Sequence, residues 1–329
     1  MITRHLGRLF VVALAALNWS CTVDADSFAA SGRFERTLDV SGPVTLDVQT
    51  GSGSIQIRRG ATTQVRVVGH IRAQRGFWNR SSGEDRVREI EAAPPVEQAG
   101  NTIEIGQFDR RGMDRNVSIS YELLVPADTS VRSRTGSGSH DIDALRGPVQ
   151  AETGSGRIRV GEIARGVSVS TGSGSIEVLG AGEGLEASTG SGSVTARQIV
   201  GHARTRSGSG RIAVAFSGAG DGDFNTGSGT ITVTGASGRL RAHAGSGTIA
   251  IEGAPASDWS IDTGSGGITV KLPPTAAFNL DAQTGSGSIT TSHPVETVGS
   301  ISKRHIQGRV RGGGPRVEVS ASSGSIRLD

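Results

Sequence analysis

At 329 residues, with 50 Gly but only 8 Phe, 3 Trp and 1 Tyr, the chain is too poor in large rings to fill a core with them, so small and β-branched side chains must do it. Its net charge of +3, from 34 Lys plus Arg against 31 Asp plus Glu, has both signs spread along the sequence; with no basic cluster and no interleaved aromatics, nucleic acid is set aside as a partner. The single cysteine, Cys21, rules out an internal disulfide.

The first segment carries basic Arg4 and Arg8, an apolar run from Leu9 to Leu17, and then polar residues. That run is far shorter than the ~20 residues of a spanning helix, so residues 1–25 read as a secretory signal peptide cleaved after Ala25, with Val23 and Ala25 as its small residues. Cys21 behind the apolar run raises lipidation as the alternative, although of the preceding Asn18, Trp19 and Ser20 only Ser20 suits a lipoprotein signal. The expected address is the periplasm or the outer cell surface, with membrane attachment only through a lipid on Cys21.

Residues 28–130 form a β-rich region expected to be continuous with a repeat array over 131–329. FERTLDV, PVTLDVQT, SIQIRR, TQVRVVGHIRA and NVSISYELLVP alternate apolar and polar residues, the period of strands with one buried face. Between them SSGEDRVREIEAAPP predicts one short helix over 83–93. Ser82 serves as its N-cap, Glu84 and Asp85 sit in its first turn, Val87 and Ile90 share a face, and Pro94 and Pro95 end it. Such a helix suits a cap over the open first rung of the array.

Within the array, TGSGS corners begin at Gly136, Gly154, Gly172, Gly190, Gly208, Gly227, Gly245, Gly264 and Gly285, in steps of 18, 18, 18, 18, 19, 18, 19 and 21; an isolated copy stands at Gly51 and a degenerate ASSGSI ends at Ile326. Before and after each corner, apolar residues alternate with polar ones, as in Val167 and Val169 and then Ile176 and Val178. Each repeat is therefore strand, glycine corner, strand, turn. Strands this short bury their faces only by stacking copy on copy, which predicts a right-handed, single-stranded parallel β-helix of about ten rungs at ~4.8 Å each.

The TGSGS corners at this period, the segment NVSISYELLVPADTSVRSRTGSGS and the close GSISKRHIQGRVRGGGPRVEVSASSGSIRL resemble the bacterial adhesin-like family catalogued as domain of unknown function 4097. The resemblance spans most of residues 35–328. It implies a single-stranded β-helix on an exported protein and brings no catalytic residues with it.

Reactive constellations are scarce. The GSG triplets are each followed by a strand, and none continues to a third glycine in the dinucleotide pattern or to Gly-Lys, so they are corners and not phosphate loops. No serine sits in a Gly-x-Ser-x-Gly elbow, and the corners carry Ser or Thr where calcium-binding β-rolls place Asp. His140, flanked by Asp141 and Asp143, takes a slot that holds Ile or Val in most copies. The three could form a metal site, but a frayed first rung leaving His140 partly solvated is the preferred reading.

Outward positions before the corner, Gln150, Ser168, Glu186, Arg204, Asp223, Arg241, Ser260 and Asp281, alternate in sign like a solvated surface and gather no catalytic carboxylate pair. Those after the corner, Thr195, Ala213, Thr232, Ala250, Thr269 and Thr290, form an uncharged ladder: ordinary β stacking, or a docking strip. The expectation is a protein without catalytic residues or cofactor, an exported adhesin-like solenoid presenting a repetitive face to a polysaccharide or protein of the envelope, with self-association through the solenoid end. The alternatives are a periplasmic module that senses envelope stress and, further off, a β-helix enzyme acting on polysaccharide.

Overall fold

The structure is a computed structural model that describes residues 28–61, 63–74, 81–107, 117–297 and 302–329. Cys21 and the expected signal peptide lie outside the described residues. Each repeat is folded at its glycine corner so that its two strands enter two different sheets, which face each other across one continuous core. We call the sheet of strands before the corner the leading sheet and the sheet of strands after it the trailing sheet.

Among the described residues, eleven such rungs stack in parallel. Rung 1 is Val44–Ser52 with Ile55–Arg59, so the copy at Gly51 is not isolated but is the foundation of the array. Rung 2 is Thr129–Ser137 with His140–Ile142, set on rung 1 with Ser137 over Ser52 and His140 over Ile55. Rungs 3 and 4 are Val149–Ser155 with Ile158–Ile163 and Val167–Ser173 with Ile176–Ala181. Rungs 5 and 6 are Leu185–Ser191 with Val194–Ile199 and Ala203–Ser209 with Ile212–Phe216. Rungs 7 and 8 are Gly222–Ser228 with Ile231–Ala236 and Leu240–Ser246 with Ile249–Gly253. Rung 9 is Trp259–Ser265 with Ile268–Lys271.

The last two rungs depart from chain order. The final strands Arg316–Ser323 and Ile326–Leu328 form rung 10, between rung 9 and the earlier strands Phe278–Ser286 and Ile289–Thr291, which form rung 11. The last strand is paired on both edges, and residues 303–315 do not cover it. Within that segment, His305–Val310 pairs antiparallel with Phe278–Ser286 instead, and Val295–Thr297 pairs antiparallel with it in turn.

The corner sequence follows from close stacking. A Cβ on the first glycine of a corner, Gly172, would stand 2.6 Å from the Gly154 carbonyl oxygen of the rung before. One on the third, Gly174, would stand 2.0 Å from the Gly156 oxygen, and Gly174 also has φ +155°. Glycine alone fits such contacts. At most corners a Thr, or Ser207 in rung 6, precedes the first glycine and points into the core, and its hydroxyl donates to the third glycine's carbonyl one rung back: Thr153 to Gly138 at 2.9 Å, Thr171 to Gly156 at 3.2 Å, Thr189 to Gly174 at 3.1 Å. Each bond contributes about 1 kcal/mol and fastens one corner to the next.

Within the core, large and small side chains compensate along the stack. Phe224 of rung 7 spreads over Gly222 and meets Phe216 of rung 6 edge to face at 6.3 Å between ring centres. Trp259 of rung 9 is 1% exposed, covers Leu240, and donates its indole N–H to the Gly238 carbonyl at 3.0 Å.

Beyond rung 1 the parallel pattern gives way. The trailing sheet continues through Val117–Val125, Gln64–Gln74 and Phe28–Asp39, the last three-strand stretch being antiparallel, and the leading sheet through the hairpin of Thr102–Ile105 and Val96–Ala99. The helix α1, Ser81–Ala92, packs on Phe28–Asp39 and Gln64–Gln74. Its Val87 and Ile90 are buried in the common core, and Glu91 accepts the Arg33 backbone N–H at 2.8 Å. The helix begins at Ser81, two residues before the expected start, so Ser82 lies within its first turn and is not the N-cap.

Candidate interaction face

Alternation along each strand decides which residues reach solvent. Register then sorts those outward residues into columns running the length of the stack. On the trailing sheet the column is Gln56, Asp141, Arg159, Glu177, Thr195, Ala213, Thr232, Ala250, Thr269, Arg327 and Thr290. Thr195 through Thr269 are five consecutive, half-buried and uncharged positions on rungs 5 to 9. Thr290 is separated from them: rung 10 inserts the exposed Arg327 between Thr269 and Thr290. The ladder read from sequence as six members is a strip of five, because spatial order and chain order differ at that end.

The leading sheet has a different character. Its first outward column runs Asp47, Arg132, Gln150, Ser168, Glu186, Arg204, Asp223, Arg241, Ser260, Glu318 and Asp281, with Glu318 interposed by the same insertion. Signs are mixed, as expected, and neighbouring rungs neutralise one another: Arg204 lies 3.5 Å from Asp223, and Arg316 bridges Asp281 at 3.1 Å and Glu318 at 3.4 Å. Clefts of about 560 and 390 Å³ open on this sheet; Asp47, Arg132 and Glu186 line the first, and Arg204, Asp223 and Arg241 the second.

The residues His140, Asp141 and Asp143 are not brought together. His140 points into the core at 1% exposure, contrary to the frayed, partly solvated rung expected, because rung 1 stacks beneath it. Its Nε2 donates to the Glu152 carbonyl at 3.0 Å, which leaves Nδ1 to accept from Ser133 Oγ at 2.7 Å. This arrangement suits a neutral imidazole, and burial pushes its pKa below the ordinary 6.5, partly offset by the bond to Glu152. Asp141 and Asp143 point the other way and clasp Arg58, at 2.5 and 2.9 Å. The hydrogen bond from Arg58 holds the Asp141 carboxyl below its usual range and raises the guanidinium in turn. Donors on opposite faces of a strand cannot converge on one ion, and no group of three or more His, Cys, Asp or Glu able to hold a metal occurs among the described residues.

The geometry of His140 sets a pH dependence. Between pH 6.5 and the lower pKa of the folded state, the unfolded chain binds a proton that the folded chain does not. This contribution is therefore intact above pH 6.5 and is lost as the pH falls through that window. Unfolding of wild type and His140→Leu, followed from pH 7.5 to about pH 5, should show wild type losing stability relative to the variant; parallel curves would remove His140 from the account.

Missed in the sequence was Ser133. It occupies an inward slot between Val131 and Thr135, fully buried, and its small side chain opens the room that the imidazole fills. The alternation of VRSRTGS carries that signal. Among the described residues no helix is long and apolar enough to cross a membrane.

The profile of the family described as Toastrack DUF4097 matches residues 162–329. No curated protein matches the chain. Among solved structures, a candidate cell adhesion protein from Clostridium sporogenes shares 11% identity, over 90% of this chain and 99% of its own, with a TM-score of 0.21. A candidate adhesin from Bacteroides fragilis shares 13%, over 91% of this chain and 97% of its own, with a TM-score of 0.31.

Proposed function

This chain belongs to the Toastrack DUF4097 family, and from that membership and the strip on its trailing sheet we propose that it is a non-enzymatic, exported envelope protein presenting a repetitive face for adhesion or scaffolding. One observation carries the reading. In a column whose other members include Asp141, Arg159, Glu177 and Arg327, Thr195, Ala213, Thr232, Ala250 and Thr269 make an uncharged strip with a repeat of ~4.8 Å. Methyl groups and hydroxyls at fixed intervals suit an extended partner, a polysaccharide or protein strand of the envelope, whose units meet equivalent contacts on successive rungs. Such a face contributes many weak bonds and needs no reactive group. Further along the same column, Asp141 and its neighbour Asp143 are held in ion pairs with Arg58.

The test is a binding measurement on isolated cell envelopes. Thr195→Lys with Thr232→Lys should reduce retention of the purified protein at least about tenfold while leaving its stability within ~0.5 kcal/mol of wild type, since both positions face solvent. Protease shaving of intact cells should remove the protein, and mass spectrometry of its mature amino terminus reports on Ala25 and Cys21. Unchanged retention of the double variant, or release of reducing ends from an acidic polysaccharide, would end the proposal.

A further inference from the structure

Rungs 1 to 9 stack in the order in which they are made; rungs 10 and 11 do not. After rung 9 the chain passes over a space one rung wide, lays down rung 11, runs through Val295–Thr297 and His305–Val310, and returns to fill the space with its last residues. The inserted strands are bonded on both sides. Val317 lies between Trp259 and Leu280, Ser323 between Ser265 and Ser286, and Ile326 between Ile268 and Ile289. Val317, Val319, Ala321, Ile326 and Leu328 are at most 3% exposed.

The two walls of this slot share one register. Without rung 10, the shared register would put Leu280 over Trp259, Ala282 over Ile261 and Thr284 over Thr263. The Thr284 hydroxyl, now donating to the Gly324 carbonyl at 2.7 Å, would find the Gly266 carbonyl in the same place. Between Gly264 and Gly285 the step is 21 residues where the others are 18 or 19, and the added length is what reaches across the extra rung. The inserted strands hang from a hinge of three left-handed residues, Arg311, Gly312 and Gly313, at φ +50°, +82° and +87°, followed by Gly314 and Pro315.

We propose that residues 312–329 are an exchangeable closing rung: they insert last, and the slot between rungs 9 and 11 takes the same segment from a second copy of the chain, joining two rods by reciprocal exchange. A donated rung makes the same contacts in the partner's slot as in its own, so exchange preserves the interface and is limited by opening of the slot and the hinge. The partner is a second copy because the segment must match both walls at once, with Val317 and Val319 inward and the Ser323–Gly324 corner in line with the corners above and below.

The experiment uses the full chain with Cys21→Ser. Isotope-labelled and unlabelled protein are mixed, warmed below global unfolding and weighed by native mass spectrometry. Dimers of mixed mass are expected to form slowly and to persist on dilution. Ser265→Cys with Ser323→Cys places exposed thiols on paired rungs ~4.8 Å apart, within the Cα span of a disulfide, and its oxidised form should make at least about tenfold fewer mixed dimers until reduced. Absence of mixed dimers, or equal amounts from the locked form, overturns the proposal. Independently, amides of 316–328 should exchange hydrogen together and faster than those of rungs 3 to 8; exchange as slow as in those rungs would overturn it as well.

Discussion

Replacing Gly174 by valine is expected to destabilise the stack by about 3–5 kcal/mol, the range of severe single-site disruption. The side chain would meet the Gly156 carbonyl at 2.0 Å in a backbone conformation already restricted to glycine, and the obstructing atom is main chain bonded into the neighbouring rung. Neither rung can move without breaking its own ladder, so the clash opens the column. Because a solenoid's stability is close to a sum of rungs and their contacts, the loss should be local first: hydrogen exchange should lose protection in rungs 3 to 5 before rung 8. Ser173→Ala in the same corner, where the side chain is exposed, should stay within ~0.5 kcal/mol. Equal denaturation midpoints for Gly174→Val and Ser173→Ala would show that the corners are not held by backbone contact.

The second large effect is expected at Trp259. Its indole is among the largest fully buried side chains, lies between Leu240 and Val317, and satisfies the Gly238 carbonyl. Trp259→Ala removes that bond and leaves a cavity that the regular backbone cannot collapse, so a loss of ~3–5 kcal/mol is expected. Trp259→Phe keeps most of the volume and gives up the hydrogen bond, and should recover more than half of it. Denaturant unfolding with the three proteins side by side decides this; a Phe variant as weak as the Ala variant would mean that the indole bond and not the volume dominates.

The regular part of this fold was legible because it is written into residues that repeat. Gly at the first and third corner positions, Thr before them and alternating Ile and Val after them each have one physical task, performed in the same way at most rungs. What escaped the sequence was spatial order. Nothing local in SASSGSIRL says that it stacks on Trp259–Ser265 ahead of the copy at Gly285, since every rung of this array offers the same register to every other. Only the 21-residue step hinted at an absent neighbour. The same blindness put Thr290 in the ladder and left out Arg327.

His140 failed for a related reason. Its slot was correctly marked as inward, but the copy at Gly51, lying 85 residues upstream of Gly136, is too distant along the chain to be recognised as the rung beneath. Burial then followed from packing that the local sequence does not contain. Asp141 and Asp143, adjacent to it in sequence, serve Arg58 on the other side of the sheet.

The shared register of rungs 3 to 8 has a consequence for how such a molecule can change in size. An in-frame tandem duplication of one 18-residue unit, for instance residues 172–189, supplies a new corner, a new inward Thr and two strands that fit the units on either side without altering them. The rod would lengthen by ~4.8 Å per duplication. Duplication between rungs 5 and 9 would lengthen the neutral strip with it, while one nearer the amino-terminal end would extend only the charged surface. The two ends, built from antiparallel strands and from a rung laid down out of turn, have no such freedom, so the length of this protein is adjustable only in its interior.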